Sequence, residues 1–207
     1  RQDIIWHKPN PMPEPVTDRC TKSHEYIFLL SKSSKYFFDN EAIVEQAKWE
    51  RWGNQTENKK HQGTACHLGG KTLEELPIKS TKNKRSVWTI PTHSYKGAHF
   101  ATFPPKLITP CILAGTSEKG CCADCGSPYK RIVEKDKKLT DIDGWVKNCK
   151  CDTADIVPCT VLDPFAGSGT TLAVSKEYGR NGVAIELNPE YTTMLSKRVE
   201  DKRTLFN

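Results

Sequence analysis

The chain has 207 residues, which allows one domain with a substantial core or one domain that carries a small insert. Its mean hydropathy is −0.62, and no stretch approaches the roughly 18 apolar residues of a membrane-spanning helix, so we expect a soluble protein without a membrane partner. The net charge of +6 is compatible with a nucleic-acid partner without requiring one. The sequence enters a strand-like stretch directly after Arg1, with no signal peptide and no initiator Met, which predicts a fragment of a longer protein.

Short apolar runs between polar segments predict the first elements. Residues 3–8 and 25–32 are predicted to be buried strands. An N-cap candidate followed by apolar residues at helical spacing predicts a helix from Asp39 to Trp52. Periodicity fades over 53–86, and the basic stretch from Lys59 to Arg85 is either a solvated loop or a phosphate-contacting surface.

The second half of the chain is predicted to be more regular. A short strand is expected over Val87 to Ile90, and a helix over Lys106 to Gly115, because the prolines before it suit a first helical turn. The last fifty residues predict a β-α-β-α unit with a parallel, right-handed crossover. Its elements are a strand from Val157 to Asp163, a helix from Thr170 to Tyr178, a strand from Val183 to Glu186 and a helix from Pro189 to Val199.

A glycine turn lies where the first strand of this unit ends, and ligands of open α/β sheets bind at such strand ends. A phosphate-binding Walker loop is disfavoured because Gly169 is followed by Thr170 and not by lysine. A dinucleotide fingerprint is disfavoured because Leu172 stands where a third glycine is needed. An adenosyl ligand without phosphates is compatible with both observations.

Glu186 closes the next predicted strand, seventeen residues after Gly169. An acid near this spacing can accept hydrogen bonds from the two vicinal hydroxyls of a ribose, which suits S-adenosylmethionine as well as NAD. The alternative is a solvent-exposed acid at a strand end. The glycine turn before it favours the ligand interpretation.

Several segments together resemble the amino-methyltransferases of DNA. Residues 161–171 resemble the family's cofactor motif, 99–107 its helix motif over the methionine end of the cofactor, and 180–186 the strand with the ribose-binding acid. Residues 5–13 and 24–27 are similar to segments that follow the family's catalytic motif. The cofactor-binding residues that this resemblance implies are Phe103, Pro104, Lys106, Asp163, Pro164, Phe165, Gly167, Ser168, Gly169, Thr170 and Glu186.

The motif order resembles the permuted β group of this family, in which the catalytic tetrapeptide Asp/Asn/Ser-Pro-Pro-aromatic lies N-terminal to everything seen here. No such tetrapeptide occurs in the chain, so the catalytic residues are expected to precede Arg1. The resemblance implies a doubly wound, Rossmann-like α/β methyltransferase fold. The implied parts are 1–39, the end of the catalytic subdomain; 40–90, a variable target-recognition region; 91–118, the cofactor-covering motif; 119–155, a cysteine-rich insert; and 156–207, the S-adenosylmethionine-binding unit.

The insert contains five of the nine cysteines, and a chain without a secretory signal favours metal ligands or free thiols over disulfides. The pairs Cys122 with Cys125 and Cys149 with Cys151 have the spacing of two zinc knuckles, which predicts a structural zinc in a zinc-ribbon-like insert. Cys121 is an alternative ligand. A reduced polar loop with incidental cysteines is the competing interpretation.

The resemblance implies methyl transfer from S-adenosylmethionine to an exocyclic base amine of duplex DNA, with adenine N6 favoured and cytosine N4 the alternative. A non-catalytic, zinc-containing nucleic-acid-binding module is a rival, although it has no need of a cofactor turn. A methyltransferase of RNA or protein is a third possibility. The implied setting is the cytoplasm of a prokaryote or a phage, with double-stranded DNA and, in a restriction-modification system, a cognate nuclease as partners.

Overall fold

A computed structural model of the chain describes residues 1–47, 81–93, 102–133 and 144–200. Predictions for the remaining residues, including most of the basic stretch and of the target-recognition region, lie outside this description. The helices are α1 (Pro105–Gly115), α2 (Thr170–Glu177) and α3 (Pro189–Glu200). The strands are β1 (Gln2–His7), β2 (His24–Leu29), β3 (Glu45–Gln46), β4 (Thr81–Lys82), β5 (Val87–Thr89), β6 (Cys121–Cys122), β7 (Lys130–Arg131), β8 (Trp145–Val146), β9 (Ile156–Val157), β10 (Thr160–Asp163) and β11 (Asn181–Ala184).

A three-stranded sheet in the order β2-β1-β5 forms the first part of the fold, with β1 antiparallel to β2 and parallel to β5. Trp6 and Trp88 are paired in register and form a buried cluster with Leu107 of α1. Side chains alternate along a strand, so the residues adjacent to Trp6 in β1, and the β2 residues paired with them, lie on the opposite face of the sheet. On that face Tyr26 is 50% and Phe28 is 65% exposed, and no residue of β2 is fully buried on either face, so the prediction of a buried strand is wrong for β2.

The predicted β-α-β-α unit is present. β10 and β11 pair in parallel, from Thr160 opposite Asn181 to Asp163 opposite Ala184, with α2 as the crossover between them. The predicted strand from Val157 to Asp163 is divided in two at Pro158, because proline has no N–H for a sheet ladder. β9 then pairs with the cysteine insert and β10 with β11.

The predicted helix from Asp39 is wrong over the described residues 39–47, which form a 3-10 helix over Glu41–Ile43 and then β3, paired with β4. The physical reason for this difference is that Asp39, the predicted N-cap, has another hydrogen-bond partner. The carboxylate of Asp39 is buried and accepts hydrogen bonds from Arg131 at 3.1 and 3.3 Å, so it does not cap a helix.

The cysteine insert contains the short antiparallel pair of β7 with β8, and its strand β6 pairs antiparallel with β9, which follows the insert directly. Parallel pairing in the described ranges joins β10 to β11 and β1 to β5, in separate sheets, so a single doubly wound sheet stays a prediction. None of the helices that the structure describes has both the length and the apolar character needed to cross a bilayer.

Candidate cofactor site and cysteine cluster

The glycine turn between β10 and α2 is fixed by its own backbone and by the segment after β11. The amide of Ile185 donates to the carbonyl of Asp163 at 2.9 Å, and the amide of Ala166 donates back to Ile185 at 3.1 Å. The carboxylate of Asp163 accepts a 3.0 Å hydrogen bond from the amide of Phe165, forming a local turn. The parallel ladder therefore continues past the strand ends and brings residues 163–169 beside residues 185–188.

Glu186 lies just beyond β11 and contacts the turn directly. Its Oε2 accepts a hydrogen bond from the amide of Gly167 at 2.7 Å, and its Oε1 accepts one from the amide of Asn188 at 2.9 Å. These amides, Asn188 first and Gly167 second, lower the pKa of the carboxyl below its ordinary value. The side chain is therefore an oriented carboxylate at neutral pH, and the simple exposed-acid alternative does not describe it.

Gly169 serves a packing role that the sequence did not reveal. It is the N-cap of α2 with φ of +77°, in the left-handed region that favours glycine. A Cβ at this position would lie 2.9 Å from Cγ of Leu195, so α3 packs closely against the turn. The structure thus places α3, and not an open surface, next to Gly169.

Replacing Gly169 with alanine is expected to destabilise the chain by about 2–5 kcal/mol, the sum of a left-handed backbone cost and overpacking against α3. Gly179 is a matched control, because its φ is +70° and a Cβ there meets nothing within 4 Å. Gly179→Ala is expected to cost only the backbone term, about 1–2 kcal/mol. Equal losses for the two variants in urea unfolding would show that contact with Leu195 contributes nothing.

A cavity of about 490 Å³ lies between α1 and β10, within the usual size range of small-molecule sites. Phe103 and Asp163, both predicted cofactor residues, line it together with Thr171 of α2. The other predicted residues do not gather there: Pro104 is buried at the start of α1, and Lys106 points to solvent.

The remaining turn residues divide by exposure. Pro164 and Phe165 are exposed, the latter at 89%, whereas the side chains of Ser168 and Thr170 are buried and hydrogen-bonded to Arg198 of α3. Both hydroxyls therefore face the protein interior in this structure. Neither lines the cavity beside Phe103.

A second interaction that the sequence did not predict joins the end of α1 to the segment that follows α2. Arg180, buried after α2, donates from Nε to Oγ1 of Thr116 at 3.0 Å and from Nη1 to the carbonyl of Tyr178. Thr116 is the C-cap of α1, so this arginine fixes one wall of the cavity relative to the other. Its signal in the sequence was slight: a basic residue next to a predicted apolar strand.

The four cysteines predicted as zinc ligands lie together. The sulfurs of Cys122, Cys125, Cys149 and Cys151 are all within 4.8 Å of one another. Backbone amides of Cys125 and Asp124 lower the pKa of the Cys122 thiol to about 7, whereas hydrogen bonding to Cys125 and burial raise the pKa of the Cys151 thiol to about 12. Cys121 is directed elsewhere, with its Sγ 3.5 Å from the carbonyl of Val157, so the geometry selects the other four.

The insert is attached to the rest of the fold through Arg131 of β7. Its guanidinium contacts the buried carboxylate of Asp39 at 3.1 Å and the exposed carboxylate of Glu118 at 2.7 Å. The guanidinium also lies 4.3 Å from the ring centre of Trp145. The amide of Asp39 in turn donates to the carbonyl of Ala114 at the end of α1. The cysteine cluster is therefore joined to the helix that lines the cavity.

The parallel crossover, the glycine turn at its strand end and the acid after the second strand define a Rossmann-like class of α/β domain. Comparison with known proteins gives the family. A family model described as DNA methylase, N6_N4_Mtase, matches residues 1–137 and 159–197. The chain belongs to this DNA methylase family. Residues 138–158, which include Cys149 and Cys151, lie outside the match.

Related sequences agree with the family. The chain is 36% identical over 204 residues to the Type II methyltransferase M.Cfr9I of Citrobacter freundii, which covers 99% of this chain and 45% of that protein. It is 36% identical over 203 residues to M.SmaI of Serratia marcescens, with 98% and 47% covered. The chain thus spans about half the length of these curated relatives.

A solved structure shows the same fold. The PvuII DNA methyltransferase, described as cytosine-N4-specific, superposes with a TM-score of 0.54 over 98% of this chain and 51% of that protein, at 16% sequence identity. At this identity the likeness shows a methyltransferase fold.

Proposed function

We propose that the chain is the S-adenosylmethionine-binding part of a DNA methyltransferase that methylates an exocyclic base amine. The observation that carries the proposal is the carboxylate of Glu186, held 2.7 Å from the amide of Gly167 at the end of a parallel strand pair. This arrangement supports an adenosyl ligand without phosphates.

The carboxylate has capacity for a ligand. Each oxygen of Glu186 accepts one backbone amide in the structure, and a carboxylate oxygen has a second acceptor site. Two oxygens held side by side match the vicinal hydroxyls of a ribose. Because backbone amides already fix the side chain, little ordering is required when a ligand binds.

The cavity between α1 and β10 supports the other end of the ligand. Its volume of about 490 Å³ suits a molecule of the size of S-adenosylmethionine, and Phe103 and Asp163 offer an apolar wall and a carboxylate. The sulfonium of such a ligand is cationic, which fits an acid at this end. These residues would orient the donor, and their contribution to the rate is proximity and orientation.

When bound, S-adenosylmethionine supplies the methyl group for transfer to the amine. A base within duplex DNA must leave the helix to reach such a site. We assign residues 40–90 to target recognition and take duplex DNA as the substrate, with a nuclease partner if a restriction-modification system surrounds the enzyme. Adenine N6 is the acceptor that the sequence resemblance favours, and cytosine N4 is the alternative.

Nucleoside mass spectrometry tests the proposal and assigns the acceptor. The protein translated from the full coding sequence is incubated with duplex DNA and S-adenosylmethionine, and the DNA is digested to nucleosides. N6-methyladenine supports the favoured acceptor, and N4-methylcytosine shows the alternative. DNA binding without either product supports the non-catalytic interpretation, and methylated RNA or protein in parallel reactions redirects the proposal.

We further propose that Cys122, Cys125, Cys149 and Cys151 hold one structural zinc. Four sulfurs within 4.8 Å of one another need little movement to reach a tetrahedral thiolate site, in which neighbouring sulfurs lie roughly 3.8 Å apart. The chain itself shapes the knuckles: the amide of Gly126 donates to the carbonyl of Cys122 at 2.9 Å, and Nζ of Lys147 donates to the carbonyl of Cys151.

Purified protein is expected to contain about one zinc per chain, and removal by a chelator is expected to make 119–155 sensitive to protease, because metal binding and folding are linked in such modules. Cys125→Ser is expected to lose the metal. Cys121→Ser is the matched control and should retain it, since Cys121 faces Val157. A metal-free preparation with equal protease resistance in this segment would support the loop interpretation.

A further inference from the structure

Helix α3 covers the glycine turn with two residues one turn apart. Leu195 contacts Gly169, and Arg198 reaches the two residues on either side of that glycine. Residues three apart share one face of a helix, so both contacts come from the same side of α3. The sequence placed Arg198 in a predicted helix and gave it no role.

Arg198 is 4% exposed, and its guanidinium is directed into the turn. Nη1 donates to Oγ of Ser168 at 2.7 Å and to Oγ1 of Thr170 at 2.9 Å, and lies 3.3 Å from the carbonyl of Ser168. One nitrogen thus contacts a backbone carbonyl and two hydroxyls within three consecutive residues. A buried charged group that makes such bonds fixes its partners more strongly than a neutral donor does.

These contacts change the role of the turn's polar residues. The hydroxyls of Ser168 and Thr170 accept hydrogen bonds from the guanidinium, while Gly167, the residue before Ser168, donates its amide to Glu186. The two sets of bonds lie on neighbouring residues of one short loop. A displacement of Ser168 would therefore move the Gly167 amide and, with it, the carboxylate of Glu186.

We propose that Arg198 is the positioning residue of the cofactor turn, acting through Ser168 and Thr170 to fix Gly167 and Glu186 before the ligand binds. The inference rests on the proposed function, because it treats this turn as the adenosyl site. A turn fixed in advance pays less conformational entropy on binding, so loss of Arg198 weakens affinity although the residue does not touch the ligand.

Calorimetric titration of the protein translated from the full coding sequence with S-adenosylhomocysteine tests the proposal. Arg198→Met keeps the length of the side chain and removes its donors; affinity is expected to fall roughly tenfold or more. Arg198→Lys restores part of the affinity because an ammonium can still donate to Ser168. Lys197→Met is the matched control: it removes an exposed cation from the same helix and is expected to change affinity less than about twofold.

Two further measurements separate positioning from general stability. The amide signal of Gly167 in ligand-free protein is expected to shift in Arg198→Met and to stay in place in Lys197→Met. Thr170→Val, which removes one acceptor at constant shape, is expected to lose about threefold in affinity alone and little when added to Arg198→Met, because the two side chains act together. If Arg198→Met does not fold, Arg198→Lys and Thr170→Val still decide the question.

The outcomes are distinguishable. Wild-type chain that binds S-adenosylhomocysteine, with Arg198→Met binding equally well and an unmoved Gly167 amide, would overturn the role of Arg198 and leave the proposed function intact. Wild-type chain that binds no S-adenosylhomocysteine would overturn both. Weaker binding in Arg198→Met with partial recovery in Arg198→Lys is the result that supports the positioning role.

Discussion

The 207-residue chain on its own is expected to bind the methyl donor and to transfer no methyl group. In the proposed function, the glycine turn and the cavity beside α1 hold S-adenosylmethionine. The tetrapeptide that aligns the amine in this family is absent from the sequence, since Phe103-Pro104-Pro105-Lys106 lacks both required flanking residues. His7 and Asp18 are weak substitutes, because the ring of His7 lies 3.2 Å from Oγ1 of Thr89 and Asp18 is an exposed acid beside Arg19.

A tritiated-methyl assay on mixed duplex DNA checks this expectation, with the upstream-extended protein as positive control. Tyr26 and Phe28 are half exposed or more on one sheet face, and β2 is an edge of its sheet, so low solubility of the 207-residue chain is also expected. Sustained turnover by this chain alone would show that catalysis resides within it and that the inferred motif order is wrong.

Replacing Glu186 with alanine is expected to weaken binding of S-adenosylmethionine roughly ten- to a hundredfold, because charge-assisted hydrogen bonds to a ligand are lost. The same change releases the amides of Gly167 and Asn188, so part of the loss comes from a less ordered turn. Calorimetry of the folded variant measures the total. Unchanged affinity would remove Glu186 from the site.

Two controls refine this result. Glu190→Ala removes an exposed acid from the first turn of α3 and is expected to leave affinity almost unchanged. Glu186→Gln keeps one acceptor oxygen but places an NH₂ group against a backbone amide, so it is expected to bind nearly as weakly as the alanine variant.

The pH dependence follows from the sign of the pKa shift. A carboxyl whose pKa is lowered in the folded chain contributes stability that is complete above its ordinary pKa and is lost as the pH falls through the lowered value. The contribution of Glu186 to the turn is therefore expected to be constant through the neutral range and to decline only in acid.

Sequence reasoning was most accurate where local patterns are strong. The parallel crossover, the helix after the paired prolines and the two cysteine pairs were all predicted, because each depends on residues close in sequence. It failed at Asp39, whose carboxylate is used by Arg131, ninety-two residues away. No local pattern records such a contact.

The glycine turn shows the same limit at the level of single residues. The position of the turn was predictable, but the contacts of its individual residues were not. Gly169 packs against Leu195, whereas Ser168 and Thr170 accept hydrogen bonds from Arg198. Family motifs mark residues as belonging to a site without stating which face of the turn each one uses. A signal was present, since Leu195 and Arg198 share a helix face, but only the packing of α3 on the turn gives it meaning.

Equilibrium dialysis of the 207-residue chain against S-adenosylmethionine tests whether the glycine turn and Glu186 form an adenosyl site. We expect saturable binding of about one molecule per chain, competition by S-adenosylhomocysteine, and little competition by ATP or NAD because the turn lacks phosphate-binding features. We also expect Glu186→Ala to reduce this binding and Glu190→Ala to leave it unchanged. Absence of saturable binding by folded protein, or displacement by NAD as effective as by S-adenosylhomocysteine, would contradict this assignment.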